Sequence, residues 1–548
     1  MSTHVSGSPA PTSSANPSWL DRLESGLQHY SGSLALCLIF TGFVWRLWLA
    51  HATFFNTDEA WHYWLGNCDS LWMAYKASLT INHPPLLILV LHFWRHLGTS
   101  NLVLRLPSVF AGTAFCWFFY RWLLLLAGRA TAGAGLILVA FLPPMISMSA
   151  DLRQYPPLLL FSAAAAYFLE LALDKDSGRW MILSSVCLCL AMLSHYGTFF
   201  VAAALGVYAI LRFVAHKPPT SLLAAWMGGE IAGVILAGVL FKTHIARLSS
   251  LVRQSILPQL YLSDWYFHKG KDHLLPFLYR GTFGVFRFAV GQTQIGQFAA
   301  VLFLAVVGVL LLATKSGDRA KNRAVGVLLL LPFVLNWIAV AAGVYPYGRM
   351  RQCVFLAIFG LAGVSVCLSW IARRKLVPAV ALAVAVVVLC QAFGTQQDRD
   401  ALPLTELRHE HMDQAVEFMR SQIAQGDIIF TDQATSFQLR HYLCGQKPVA
   451  VHAYPAGFET FGCEGFTVII TGVGDGALTA EGVAERWRNN FFERQPGIRM
   501  WVAQGGWATG LGEALRTLHG FGQIDVHSFG RYFEVFQLPH AVAPTAQR

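Results

Sequence analysis

The chain has 548 residues, of which 55% are hydrophobic and 13% charged, with a mean hydropathy of +0.48. An ordinary soluble domain is about 25% charged; a soluble core of this size has no room for so much apolar surface, which excludes a soluble enzyme, a disordered chain and a fibrous one. The net charge of +10 is uneven: residues 395–548 hold 17 of the 30 acids but 12 of the 40 basic residues, so a basic membrane body precedes an acidic tail, and the basic excess reads as cytoplasmic-loop charge rather than as nucleic-acid binding.

Residues 1–31 are Ser/Pro-rich and lack an apolar run, which predicts a disordered cytoplasmic tail. The run Ser33–Ala50 covers about 27 Å as a helix, enough for a hydrocarbon core. Further spans are predicted at 105–126, 130–148, 157–173, 180–196, 198–214, 222–242, 296–314, 324–343, 353–372 and 376–394, eleven in all. The stretch 84–98 opens with His83-Pro84-Pro85 and is broken by His92, Arg95 and His96. It is short for a span and suits a helix lying in the interface. Leaving it out places Arg129, Lys175, Arg179, Arg212, Lys217, Lys315, Arg319, Lys321, Arg323 and Arg373-Arg374-Lys375 all on the inside; counting it moves every cluster outside. Positive-inside charge therefore predicts an inner N-terminus and an outer C-terminus.

That topology leaves 51–104, 149–156, 243–294 and 344–351 on the outer face, with the tail from 395. The tail reads as α/β, with a helix over Met412–Ala424 and strands at Asp427–Thr431, Phe466–Thr471 and Tyr532–Leu538. Cys444 and Cys463 fall in this tail and form a disulfide if it faces an oxidising compartment. There is no glycine-rich phosphate loop at a strand–helix junction. The predicted domains are 1–31, the membrane body 32–394 and the outer domain 395–548.

Acids are rare in the body, with only 11 between residues 31 and 394, and two are adjacent just past the first span. They lie in Phe54-Phe55-Asn56-Thr57-Asp58-Glu59-Ala60-Trp61-His62-Tyr63-Trp64. Asn56 or Thr57 caps a short helix there, and the aromatics suit the headgroup level. A carboxylate partly out of water is a plausible general base; the plainer reading is a pair of acids favouring a helix N-terminus. His62, one turn on, either joins Glu59 on a divalent metal ion or packs as an amphipathic ring.

Two other outer turns bring Arg and Tyr to the same face: Asp151-Leu152-Arg153-Gln154-Tyr155 and Tyr345-Pro346-Tyr347-Gly348-Arg349-Met350-Arg351. Arginine suits bidentate phosphate contact. Arg153, Tyr155, Tyr347, Arg349 and Arg351 are therefore candidates to hold a phosphate, with Lys76 beside them; interfacial anchoring is the alternative. His83 and Asp151 stand next to these segments. Glu230 lies within the seventh span, where an acid is costly unless paired or facing a cavity.

Taken together, Asp58-Glu59-Ala-Trp-His-Tyr, His83-Pro84-Pro85-Leu86, Arg105-Leu106-Pro107-Ser108 and Arg153-x-Tyr155 resemble the GT-C glycosyltransferases. The similarity is to the branch of protein O-mannosyltransferases, lipid A aminoarabinose transferases and lipopolysaccharide-core galacturonosyltransferases. It covers residues 33–215 and extends more loosely to Arg349 and the outer domain. The resemblance implies a mainly α polytopic bundle of GT-C type, with interfacial helices in the first outer loop. It implies a glycosyltransferase whose donor is a polyprenyl-phosphate-linked sugar and whose acceptor is an envelope glycan, lipid or protein. Asp58 would be the base, Glu59 its neighbour for acceptor positioning or metal, and Arg153 and the Arg349 region the holders of the lipid phosphate, with inversion at the sugar. One departure stands out. Some branches carry Tyr-x-x-Leu-Asp, where this chain has Tyr155-Pro156-Pro157-Leu158-Leu159, which argues against the mannosyl and aminoarabinose branches. The competing readings are an envelope polysaccharide ligase or polymerase, centred on Arg247, Arg253, Arg280 and Arg287 of the third outer loop, and a polytopic transporter.

Overall fold

The computed structural model describes residues 19–247, 263–312, 319–394, 408–444, 449–454, 457–463, 465–471, 480–492, 499–505, 514, 517, 524–530 and 532–538. Residues 1–18 of the predicted disordered tail lie outside them. Residues 19–29 do not follow the prediction, forming helix α1 (Trp19–His29), because Trp19, Leu23 and Leu27 recur at helical spacing. Glu24 fixes it in place: its carboxylate accepts from Leu376 N at 2.6 Å and Val377 N at 2.9 Å, the first amides of another helix, which have no partner within that helix.

Each of the eleven predicted segments is helical over most of its described length. Among the described residues, eight helices are long and apolar enough to cross a membrane: α2 (Ser31–Ala52), α6 (Asn101–Ala127), α9 (Tyr155–Asp174), α11 (Thr198–Ala215), Thr220–Ile245, Thr293–Leu312, Arg319–Ala341 and Leu376–Phe393. A further pair, α7 (Arg129–Phe141) and α8 (Pro143–Ala150), passes the same test when taken together and meets at a 55° bend. Gly178–Met192 and Phe355–Ile371 are apolar but have only 15 and 17 residues. The latter is buried from Phe355 to Ser369 and is the centre of the bundle. Thr220–Leu240 lies at its rim, with Ile231, Val234 and Ile235 exposed.

The bend has a local cause. Pro143 and Pro144 have no amide hydrogen, so the carbonyls of Val139 and Ala140, four residues earlier, lose their helical donors. Arg46, an apparent flaw in the first span, replaces both: it donates to Val139 O and Ala140 O at 3.0 Å each. Gln391 donates to Phe141 O at 3.3 Å. Pro107 in α6 is handled the same way, since Trp94 Nε1 donates to the orphaned Val103 O at 2.8 Å. The bend turns the chain so that residues 151–154 end beside the first loop.

That loop folds as α3 (Thr57–Gly66), α4 (Leu71–Ser78) and α5 (Leu86–Trp94), with a single turn at Arg95–Leu97. The 84–98 stretch is therefore a short helix. At the far end of α9, Glu170 and Asp174 pair with Arg212 and Lys321, tying three spans together.

Among its described residues the tail forms a seven-stranded sheet of order β2-β3-β4-β1-β5-β7-β6, with β1 (Ile428–Thr431) parallel to both β4 (Phe466–Thr471) and β5 (Met500–Gly505). β2 (His452–Tyr454), β3 (Phe458–Cys463), β6 (Asp525–Ser528) and β7 (Phe533–Leu538) pair antiparallel. Helices His409–Gln422, Gln433–Tyr442 and Ala480–Trp487 flank it. Cys444 is disulfide-bonded, and Cys463, its predicted partner, closes β3.

Candidate active site

Asp58 and Glu59 begin the same helix and do different work. Asn56 caps α3: its side chain accepts Glu59 N at 3.1 Å, and Glu59 Oε2 accepts Asn56 N at 3.0 Å. Arg105, at the start of α6, donates to Glu59 Oε1 at 2.7 Å and Oε2 at 2.6 Å. Leu152 N donates to Glu59 Oε1 at 2.7 Å. A carboxylate has about four acceptor positions, and these four bonds occupy them. Glu59 is fully buried and has no lone pair left for an acceptor or a metal ion, so it holds the fold together instead. Arg105 was legible only as part of a motif. Its remaining donors reach Ala50 O, Thr53 O and Phe54 O at 2.7–2.9 Å, gathering the frayed end of α2.

Asp58 instead faces outward from this knot and ion-pairs with Arg153. Both side chains are nearly buried, 11% and 7% exposed. The Arg153 turn is placed from two sides, by Glu59 on Leu152 N and by Ser108 Oγ on Arg153 N at 3.4 Å. Thus one acid sets the backbone of the turn and its neighbour meets the side chain. Arg153 also lies over the Tyr155 ring at 5.7 Å. Asp151 joins the cluster, its carboxyl pushed up to about 6 by burial first and the Glu59 charge second, while Arg351, Arg105 and Arg153 pull it back. Arg351 is thereby brought into the field of Asp151 and Arg153.

Three histidines line up beside the pair. His62 and His83 are nearly parallel with centroids 6.0 Å apart, and His83 and His195 repeat that spacing. Tyr155 stands at their edge, 5.6 Å from His195. The His83 turn is pinned there by His244, whose Nε2 is 2.7 Å from Ile81 O, and by Leu86 N donating to Leu193 O at 3.0 Å. Burial pushes His62 and His195 down to about 4, and Arg153 adds to this at His62. The rings are therefore neutral near pH 7. His62 Nδ1 is 2.6 Å from Asp58 O. Since a carbonyl only accepts, the proton is on Nδ1 and the buried Nε2 carries the free lone pair. The metal reading of Glu59 and His62 does not fit: Glu59 has no free acceptor, and among the described residues no group of three His, Cys, Asp or Glu side chains is arranged to hold an ion. His195 had no motif to mark it; only the fold brings it here.

Other candidates stand elsewhere. Lys76 is exposed, its ammonium 5.3 Å from the Trp72 ring instead of in the cluster. Tyr347 is buried and its hydroxyl is taken by Thr282 Oγ1 and Trp337 Nε1, each at 2.8 Å, so it packs helices and offers no donor to a phosphate. Arg349 is half-buried, with Nη1 enclosed and unbonded. Its turn needs Gly348, which has φ +150°; a Cβ there would come within 2.3 Å of Trp265. Glu230 faces α11, where its carboxylate is 3.3 Å from the place a Cβ at Gly206 would take. Of the third-loop arginines, Arg247 and Arg280 are exposed and Arg253 lies outside the described residues.

Residues 82–241 match the profile of the family described as dolichyl-phosphate-mannose-protein mannosyltransferase. That stretch contains the Tyr155-Pro156-Pro157 departure. No curated protein matches the chain by sequence. The fold is similar to that of ArnT from Cupriavidus metallidurans in the apo state, at TM-score 0.51 and 12% identity, over 94% of this chain and 98% of that one. It is similar to ArnT bound to undecaprenyl phosphate, at TM-score 0.51 and 13% identity, over 95% and 99%. An Archaeoglobus fulgidus oligosaccharyltransferase tethered to an acceptor peptide aligns at TM-score 0.47 and 11% identity, over 95% and 76%. The chain has the GT-C membrane glycosyltransferase fold, and its helical body carries the sequence pattern of the mannosyltransferase family profile over residues 82–241.

Proposed function

We propose that this chain is an integral-membrane glycosyltransferase that moves a sugar from a polyprenyl-phosphate donor to an envelope glycan, lipid or protein acceptor, with inversion. The observation that carries this reading is the Asp58–Arg153 ion pair inside a buried cluster that also gathers Asp151, Arg351 and Tyr155. A base and a phosphate-binding guanidinium are the two groups that such a transfer needs. Asp58 accepts the proton of the acceptor hydroxyl as its oxygen bonds to the anomeric carbon. The bond from that carbon to the phosphate oxygen breaks, and the electron pair leaves with the phosphate. Arg153 and Arg351 stabilise the charge gained there. Direct displacement puts base and leaving group on opposite faces of the sugar, so the donor enters between Asp58 and Arg153 and parts them.

The bound undecaprenyl phosphate of ArnT supports a lipid-phosphate donor. The basic loops and the disulfide at Cys444 support an N-terminus on the cytoplasmic side and a tail in an oxidising compartment; we place the chain in a bacterial cytoplasmic membrane with the tail periplasmic. The test is transfer of radiolabel from a panel of polyprenyl-phosphate sugars by purified protein, wild type beside Asp58→Asn. Transfer by wild type alone supports the reading and names the sugar. No transfer from any donor by well-folded wild type overturns it.

A further inference from the structure

The segment that delivers Asp58 is held by the tail domain. Both polar backbone atoms of Phe55 are bonded from the helix Gln433–Tyr442: Phe55 N donates to Tyr442 Oη at 2.6 Å, and Gln438 Nε2 donates to Phe55 O at 2.9 Å. The same helix holds a second point of the body. Asn101 Nδ2 donates to Tyr442 Oη at 2.8 Å, and Asn101 Oδ1 is 2.9 Å from His441 Nε2. Phe55 and Asn101 lie three residues before Asp58 and four before Arg105.

The side chains repeat the arrangement. His441 stacks on Phe55 at 4.7 Å, and the Arg105 guanidinium lies 4.9 Å from the same ring. Phe437 stacks on Trp61 at 5.7 Å, on the next turn of α3. Buried backbone groups must be bonded or they cost free energy, and here the donor and acceptor come from a domain some 380 residues away in sequence. The helix is itself tied to the sheet, since Thr435 Oγ1 donates to Gly505 O at 3.1 Å and accepts Gly505 N at 2.9 Å. The sheet, the helix and the Asp58 segment are therefore one connected piece.

We infer that Gln438 and Tyr442 are positioning residues for Asp58, so that the tail domain is a working part of the reacting centre and not an accessory to it. This rests on the transferase reading given above for its kinetic arm only. The test uses full-length protein in detergent, wild type beside Tyr442→Phe and Gln438→Met, which keep the packing volume. Hydrogen–deuterium exchange is read on the peptide covering residues 53–58 and on peptides of β1, β4 and β5. Exchange at residues 53–58 is expected to rise about tenfold in Tyr442→Phe, which removes the acceptor of Phe55 N, with the strands unchanged. In the transfer assay kcat is expected to fall about tenfold or more with the donor KM within about twofold, as for a displaced reacting group.

Unchanged exchange at 53–58 overturns the inference, as does a kcat equal to wild type in a variant whose exchange has risen. A rise in donor KM at constant kcat overturns it too, since the tail would then serve donor binding. A wild type that transfers no sugar overturns the transferase reading alone, and the exchange arm still decides whether the tail holds the segment.

Discussion

Asp58 and Arg153 close a buried ion pair between α3 and the turn ahead of α9, and each is the group that the other's proposed role must release. A carboxylate held by a guanidinium has its oxygens engaged there, and a guanidinium held by a carboxylate has donors withheld from a phosphate. The donor phosphate is the anion that exchanges one pairing for the other. Asp58→Asn is therefore expected to abolish transfer while binding the lipid-phosphate donor as tightly as wild type or tighter, because the Asp58 charge no longer competes for Arg153. Donor titration of the purified variant checks this, and weaker binding would contradict it. Arg153→Ala is expected to weaken the donor far more than the acceptor in the same titrations.

Glu59 answers differently. It is buried with four hydrogen bonds, two of them from Arg105. Removing one partner of a buried ion pair costs about 3–5 kcal/mol; Glu59→Gln also disturbs the bonds from Asn56 N and Leu152 N, so it is expected to lower the unfolding temperature more than Asp58→Asn, which gives up its one ion pair with Arg153. Thermal unfolding in detergent separates the two neighbours. Equal losses would mean that Asp58 is also structural.

Asp151 makes stability depend on pH in a definite direction. Its carboxyl is raised from 3.8 to about 6, so between those values the folded chain binds the proton that the unfolded chain has released. Its stabilising contribution is complete below about pH 4 and is lost as pH rises through about 6. His62 and His195, lowered to about 4, act in the opposite sense over an overlapping window, which is why the comparison must be a difference. Asp151→Asn minus wild type is expected to favour the variant at pH 7, with the gap closing as pH falls from 6 to 4. A difference that is flat with pH would contradict the assignment.

Arg46 is expected to matter through the two prolines it serves. Arg46→Met leaves Ala140 O without its side-chain donor and Val139 O with only the weak Cys116 thiol, at about 1–3 kcal/mol for an unsatisfied buried group. Adding Pro143→Ala and Pro144→Ala restores the helical amides and is expected to recover part of the lost unfolding temperature. It is not expected to recover transfer, because straightening the bend moves the Arg153 turn. Stability that stays low in the triple variant would show that Arg46 serves some other purpose.

Much of the architecture was legible because a bilayer imposes simple rules on sequence. Apolar runs long enough to cross it, a short run unable to, and basic residues gathered between alternate runs located the helices and the first-loop break. The acid pair stood out for the same reason, since carboxylates are scarce in a chain of this composition. The readings that failed did so for two reasons. Helix α1 was hidden in a Ser/Pro-rich segment whose composition outweighed a weak helical period, and Lys76 and Tyr347 had the right chemistry in the right loops but are turned onto Trp72 and Thr282.

The sequence by itself determined that this is a many-spanning protein with two acids just past its first span and arginines on later turns. It did not decide which acid is available. Asp58 and Glu59 are adjacent and chemically alike, but about 100° of helical rotation separates them. That rotation directs Glu59 into Arg105 and the Leu152 amide, and Asp58 to Arg153. It also left unseen that Tyr442 and Gln438 hold the segment before them, because hydrogen bonds spanning nearly 400 positions leave no periodicity in the chain. The tertiary structure decided both by bringing those distant groups within 3 Å of Phe55.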